Sequence, residues 1–139
     1  MLQFLNISHK YDKKIILNDF SMKLEAGEVV SLLGPSGCGK TTLLKLASGI
    51  EKLQKGEIKL NDEIVSSINL HLNSDKRQIG YVFQDCALFP HLTIIENIFF
   101  GIKKNDIEKS LQKIQKLMDE IDIANLANNY PHELSGGQQ

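Results

Sequence analysis

The sequence is poor in the features that mark several large classes of protein. It holds two cysteines, Cys38 and Cys86, too few for a disulfide scaffold and suited to a reducing compartment. A long apolar run is missing: the longest is Val29–Leu33, with one serine inside it, against the roughly 20 residues that a membrane span needs. Met1–Ser8 alternates and lacks a basic start followed by an apolar core, so no secretory leader is expected. There is no excess of either charge. Sixteen basic against seventeen acidic residues leave a net charge of −1, which excludes the basic field of a nucleic-acid binder and the character of an acidic tail. No repeat or low-complexity tract interrupts the chain. What remains, 139 residues with 42% hydrophobic and 24% charged positions, fits one soluble globular domain, expected in the cytosol.

The first half has the patterning of strands. Leu2, Phe4, Leu5 and Ile7 alternate loosely, a polar turn follows at His9–Lys14, and apolar stretches come at Ile15–Leu17 and Phe20–Leu24. Glu25–Glu28 is turn chemistry. Val29–Leu33 and Ile79–Phe83 predict short strands buried on both faces, as in the centre of a parallel sheet. Gly56–Val65 predicts a hairpin turning at Asn61-Asp62, and Asn69–Lys76 is the most loop-like stretch. Thr41–Ser48 has no breaker, carries an apolar stripe and stops at Gly49, a natural residue after a helix.

The second half changes period from two to about 3.6 residues. Thr93-x-x-Glu96 is a capping box opening a helix over Ile94–Phe100, and Asn105-x-x-Glu108 is a second. The helix after it places Ile107, Leu111, Ile114, Leu117, Met118 and Ile121 on one face and lysines on the other, a solvated face. Strands first and helices later predict a mixed sheet with a separate helical lobe.

Chemistry concentrates at Gly34-Pro35-Ser36-Gly37-Cys38-Gly39-Lys40-Thr41, which fits G-x-x-x-x-G-K-[ST], the P-loop pattern. Glycines let the backbone curl so that successive N–H groups face phosphate oxygens, and the following helix adds its positive end. Lys40 can reach the β- and γ-phosphates, and the Thr41 hydroxyl can ligate Mg²⁺. A glycine-rich turn between strand and helix is the plain alternative. The expected strand before it and helix after it, each read independently, favour nucleotide binding. His9, His71, His91 and His132 have no mutual metal-ligand spacing, and Cys38 reads as a small residue tolerated at a variable loop position.

Leu134-Ser135-Gly136-Gly137-Gln138 supplies a second anion-binding pattern, a serine cap followed by free glycine N–H groups. LSGGQ about a hundred residues after a P-loop resembles the nucleotide-binding subunits of ABC transporters, and the resemblance covers essentially every residue present. It implies an α/β fold of the P-loop NTPase type: an N-terminal antiparallel β subdomain, a partial RecA-like parallel core and an α-helical lobe, with the C-terminal part of the core missing. On this reading residues 1–87 are the β subdomain and partial core, and 88–139 the helical subdomain. The resemblance places nucleotide contacts at Tyr11, which would stack on adenine, and at Gly34 to Thr42, including Thr42 itself. It matches Gln84 to the glutamine that touches Mg²⁺ and the attacking water, so Lys40 and Gln84 are the catalytic candidates. Leu134 to Gln138 would act in trans, facing the γ-phosphate held by a second ATPase subunit in a head-to-tail dimer.

The resemblance also implies ATP and Mg²⁺ as ligands, and membrane permease subunits as partners. Leu88, Phe89, Ile94 and Ile98 would lie in the groove that receives the permease's coupling helix; Ile94 and Ile98 read equally as helical core. A periplasmic or surface binding protein would be an indirect partner, nucleic acid would not be one, and the subunit would be peripheral on the inner face of the membrane. Phe89-Pro90-His91-Leu92-Thr93 with Glu96-Asn97 looks like the importers of ferric iron, polyamines, sulfate or molybdate, leaning to ferric iron. In this family the Mg²⁺-holding aspartate, the adjacent glutamate and a switch histidine follow the signature. Because the sequence stops at Gln139, the 139 residues are expected to fold poorly or associate, and not to turn ATP over alone. Two alternatives stay open: a binding module without turnover, and a non-transport ABC ATPase.

Overall fold

In a computed structural model of the chain, which describes residues 1–102 and 106–139, the strand-rich half forms one antiparallel sheet in the order β2-β1-β3-β4. The strands are β1 (Leu2–Tyr11), β2 (Lys14–Leu24), β3 (Lys55–Leu60) and β4 (Glu63–Ser66). The loose alternation of β1 has a physical cause. The ladder with β2 shifts register between Phe4 and Ile7, so the inward residues run Phe4, Ile7, His9 instead of every second position. Two serine hydroxyls satisfy backbone N–H groups beside the irregularities: Asn6 N–H donates to Ser21 Oγ at 2.9 Å and Asp19 N–H to Ser8 Oγ at 3.0 Å. The expected hairpin forms at Asn61-Asp62, where both residues have positive φ, 49° and 68°, as a two-residue turn that matches strand twist requires.

Helix α1 (Lys40–Ser48) buries Leu43, Leu46 and Ala47 in a core with Phe4, Ile7, Leu17, Leu53, Ile58 and Val65. It ends at Gly49, φ 78°, where a Cβ would approach within 2.9 Å of the Leu72 carbonyl and of the Arg77 guanidinium carbon. The expected loop Asn69–Lys76 runs into a short helix, α2 (Ser74–Arg77).

The two strands expected to contribute to the parallel core are the main correction. Val29–Leu33 and Ile79–Phe83 lie outside every strand, with Val29 94%, Leu33 92% and Val82 89% exposed. An apolar run carries the propensity for burial, but a strand exists only as a member of a ladder. Neither segment has a neighbouring strand among the described residues.

The chain divides into two units, Met1–Tyr81 and Val82–Gln139. In the second, α3 (Ile94–Phe100) opens on the expected capping box, and α4 (Ile107–Glu120) follows. Asn105, cap of the second expected box, lies outside the described residues, as do Lys103 and Lys104. Short 3₁₀ turns lie at Ala124–Leu126 and Pro131–Glu133. Ile94, Ile114, Met118 and Leu134 form the core of this unit. Leu111, Leu117 and Ile121, on the apolar face of α4, stay about half exposed or more.

Candidate functional site

The P-loop enters α1 without a side-chain cap, through Gly39 at φ 101°. A Cβ there would lie 3.1 Å from both Ile16 Cγ2 and Leu17 Cδ2, and 3.2 Å from the Ile16 carbonyl oxygen. Glycine is thus required twice, by backbone conformation and by the close approach of β2. The first backbone N–H groups of α1 have no partners within the helix, which leaves a positive end at the loop. Lys40 folds back over this loop: its ammonium donates to the Gly34 carbonyl at 2.7 Å and to the Pro35 carbonyl at 2.9 Å, and lies 3.6 Å from Cys38 Sγ. Gly34, Pro35, Ser36, Gly37 and Cys38 are exposed, and so is Thr41 in the first turn of the helix, while Thr42 is buried. A pocket of about 150 Å³ adjoins Cys38, Gly39 and Lys40, walled by Leu17, Phe20 and Leu43.

Tyr11 ends β1, half exposed. Its hydroxyl donates to Glu51 Oε2 at 3.1 Å, and its ring meets that of buried His9 edge-on at 5.0 Å. His9 pairs across the ladder with Leu17, which lines the approach to Gly39. The first unit therefore gathers the P-loop, the β1–β2 hairpin end and Glu51 on connected elements.

Gln84 belongs to the second unit. It is exposed in a turn closed by Cys86 N–H donating to the Phe83 carbonyl at 3.2 Å, followed by positive φ at both Cys86 (59°) and Ala87 (49°). The signature begins at buried Leu134. Ser135 then makes a reciprocal turn: its N–H and hydroxyl both donate to Gln138 Oε1 at 3.0 Å, and its carbonyl accepts from the N–H groups of Gln138 and Gln139. Gly136 and Gly137 lie exposed between them with open space where a side chain would project.

Ile94 is buried, whereas Leu88 and Ile98 are half-buried. All three line a pocket of about 290 Å³ with Asn97, Ile123, Gln138 and Gln139. Phe89, beside it, stacks on Phe100 with centroids 4.2 Å apart. The loop before α3 is held by Asn97, whose Oδ1 accepts from Phe89 N–H at 2.8 Å and whose amide donates to the carbonyls of Phe89, Leu92 and Thr93. Sequence reasoning missed Asn97 in this role. Its only signal was an amide one position after the capping-box glutamate. It also missed Glu51, which carries no local signal.

Arg77, 1% exposed, has no carboxylate partner among the described residues. It donates to the carbonyls of Leu46, Ala47, Val65 and Leu72 and to Ser66 Oγ, capping the C-terminal end of α1 and tying it to β4. Burial lowers its pKa from the ordinary guanidinium value. The Glu96 carboxyl is held below the ordinary glutamate value because it accepts from the Thr93 N–H and hydroxyl, both at 2.8 Å.

These elements recur in proteins of known structure. The chain is similar to the ATP-binding cassette MJ0796, solved as a dimer in a post-hydrolysis state with ADP and Pi, at 30% identity and a TM-score of 0.78, covering 99% of this chain and 65% of that one. The ABC transporter family model matches residues 17–139, and the chain belongs to that family. It is 41% identical to a ferric-ion import ATP-binding protein, FbpC 2, of Haemophilus influenzae (strain KW20 / Rd), across the whole chain and 40% of that protein. It is 38% identical to the spermidine/putrescine import ATP-binding protein PotA of Hahella chejuensis, again across the whole chain and 38% of that protein. The chain thus spans about two fifths of the length of these relatives.

Proposed function

We propose that these residues are the nucleotide-binding part of an importer ATPase, and that ATP binds at the P-loop. The observation that carries the reading is Lys40, whose ammonium rests on the Gly34 and Pro35 carbonyls at the positive end of α1. A triphosphate entering there exchanges two neutral acceptors for anionic phosphate oxygens. Both partners of each bond are then charged, which adds Coulomb attraction to a bond that the ammonium alone already assists. The backbone N–H groups of Gly37 to Thr41 and the helix end add to the same field.

The Thr41 hydroxyl and the Gln84 side-chain carbonyl are exposed, neutral oxygen donors. Either oxygen, taken in its own unit, is of the kind that suits Mg²⁺, which keeps several waters and takes its other oxygens from phosphates. Bound with the nucleotide, Mg²⁺ neutralises charge on the β- and γ-phosphates. Tyr11 offers a half-exposed aromatic ring to the adenine. Ser135, Gly136, Gly137 and Gln138 supply donors to the γ-phosphate of a second subunit in a head-to-tail dimer, a reading supported by the dimeric cassette with ADP and Pi. Permease subunits engage Leu88, Phe89 and the pocket beneath them that Ile94 and Ile98 line. We assign nucleotide binding to residues 1–139 and turnover to the assembled subunit.

The relatives named for import of ferric ions and of spermidine and putrescine support the importer reading, and we assign the subunit a peripheral place on the cytoplasmic face of the membrane. No described helix is long and apolar enough to cross a membrane. Substituting Lys40→Ala in the source cell tests this directly. The expected outcome is loss of ATP-dependent uptake of ferric iron, of polyamines or of sulfate, measured in parallel with labelled solutes. Unchanged uptake of all of them contradicts the importer reading.

A further inference from the structure

The last three residues of β1 are each held from one short segment that follows α1. Gln54 pairs with the backbone of Lys10 through both halves of its amide: Oε1 accepts from the Lys10 N–H and Nε2 donates to the Lys10 carbonyl, both at 3.0 Å. Glu51 divides its carboxylate between the residues on either side. Oε2 accepts from the Tyr11 hydroxyl at 3.1 Å, and Oε1 lies 3.7 Å from Nε2 of His9. His9 is 2% exposed, and neither ring nitrogen has a hydrogen-bond partner among the described residues. Its ring backs that of Tyr11 edge-on, at an interplanar angle of 78°. A buried imidazole without hydrogen bonds carries a desolvation cost, and its place in the fold is held by packing alone. Here it walls one side of Tyr11.

We propose that Glu51 is a positioning residue for nucleotide binding: by holding the Tyr11 hydroxyl it fixes the ring as the platform on which the adenine base stacks. The proposal rests on the base-stacking reading of Tyr11 given above. A tyrosine ending a hairpin has free rotation about two side-chain torsions, and each rotamer lost on binding weakens affinity. The Glu51 bond at the hydroxyl and the His9 ring at the side remove that freedom beforehand, and Tyr11 as a whole residue remains 41% exposed. The arrangement also links the two ends of the ligand. The N-terminal end of α1 carries the phosphate loop, and the segment after its C-terminal end carries Glu51. On the strand side, His9 pairs with Leu17, whose side chain lies against Gly39.

Comparing ATP with inorganic tripolyphosphate separates the platform from the phosphate loop, because tripolyphosphate has no base to stack. Binding of both, with Mg²⁺, is measured calorimetrically on the full chain and on Glu51→Ala, Glu51→Gln, Tyr11→Phe and Tyr11→Ala. Restoring the rotational freedom of one side chain predicts ATP binding about 3- to 10-fold weaker in Glu51→Ala and in Tyr11→Phe, with tripolyphosphate unchanged. Glu51→Gln, which keeps an acceptor for the hydroxyl, recovers most of the loss. ATP affinity in Glu51→Ala equal to wild type, with Tyr11→Ala still weakened, overturns the positioning role and leaves the platform standing. Equal ATP and tripolyphosphate losses in Glu51→Ala overturn it as well, since they mark general destabilisation. If Tyr11→Ala leaves ATP binding intact, the base-stacking reading falls and the proposal with it.

Discussion

Arg77 shows how much a single side chain can carry when it is buried. Its guanidinium meets four carbonyl oxygens and a serine hydroxyl drawn from α1, β4 and the loop before α2, with no anion beside it among the described residues. Arg77→Met removes five donated bonds and, although Leu46 and Val65 keep the N–H groups of Gly49 and Leu72, strips the guanidinium from the Ala47 and Leu72 carbonyls, so the chain should lose about 3 kcal/mol or more of stability, read from denaturant unfolding. Arg77→Lys should rescue little, because an ammonium cannot span acceptors that the planar fork reaches together. A loss under about 0.5 kcal/mol, the scale of an ordinary surface change, would contradict this account. Lys40 and Thr41 were legible in the sequence because phosphate chemistry dictates their spacing. Arg77, Glu51 and Asn97 were not, because each acts on groups chosen by the fold: Arg77 reaches Leu46, 31 residues away, and Glu51 reaches Tyr11, 40 residues away.

Elements whose signals are local formed as read. The type of turn at Asn61-Asp62, the stop of α1 at Gly49 and the start of α3 at Thr93 each depend on residues within four positions of one another. Val29–Leu33 and Ile79–Phe83 did not become strands, because a ladder partner is a non-local requirement that apolar content cannot announce. The α3 capping box makes a pH-dependent prediction. Glu96 is held below the ordinary glutamate value, so the carboxylate is favoured by the folded helix start. Its stabilisation is present above that ordinary value and is lost as pH falls through the lowered one. Amide exchange across α3 should therefore accelerate as pH falls below the ordinary glutamate range, after correction for intrinsic exchange, and Glu96→Gln should flatten the profile because a glutamine keeps the acceptor without titrating. A profile identical in the two proteins would remove the capping box as its cause.

For the whole molecule, the division of labour follows the two units. The first holds the P-loop, Tyr11 and Glu51, and the second holds Gln84, the signature turn and the apolar pocket lined by Leu88, Ile94 and Ile98. A strand-rich half followed by a helical unit was legible from the change of period along the chain, whereas the antiparallel pairing of the sheet came only with the family resemblance. The sheet order β2-β1-β3-β4 was not, since pairing of β1 with β3 joins residues more than forty positions apart. The central claim is that the ammonium of Lys40 leaves the Gly34 and Pro35 carbonyls to hold a triphosphate. Calorimetric titration of the chain with MgATP, beside the Lys40→Ala variant, tests it most directly. Loss of charge-assisted bonds worth roughly 1.5–3 kcal/mol predicts affinity about 10- to 100-fold lower in the variant. Equal affinity in the two proteins, or no binding by either, would contradict the account.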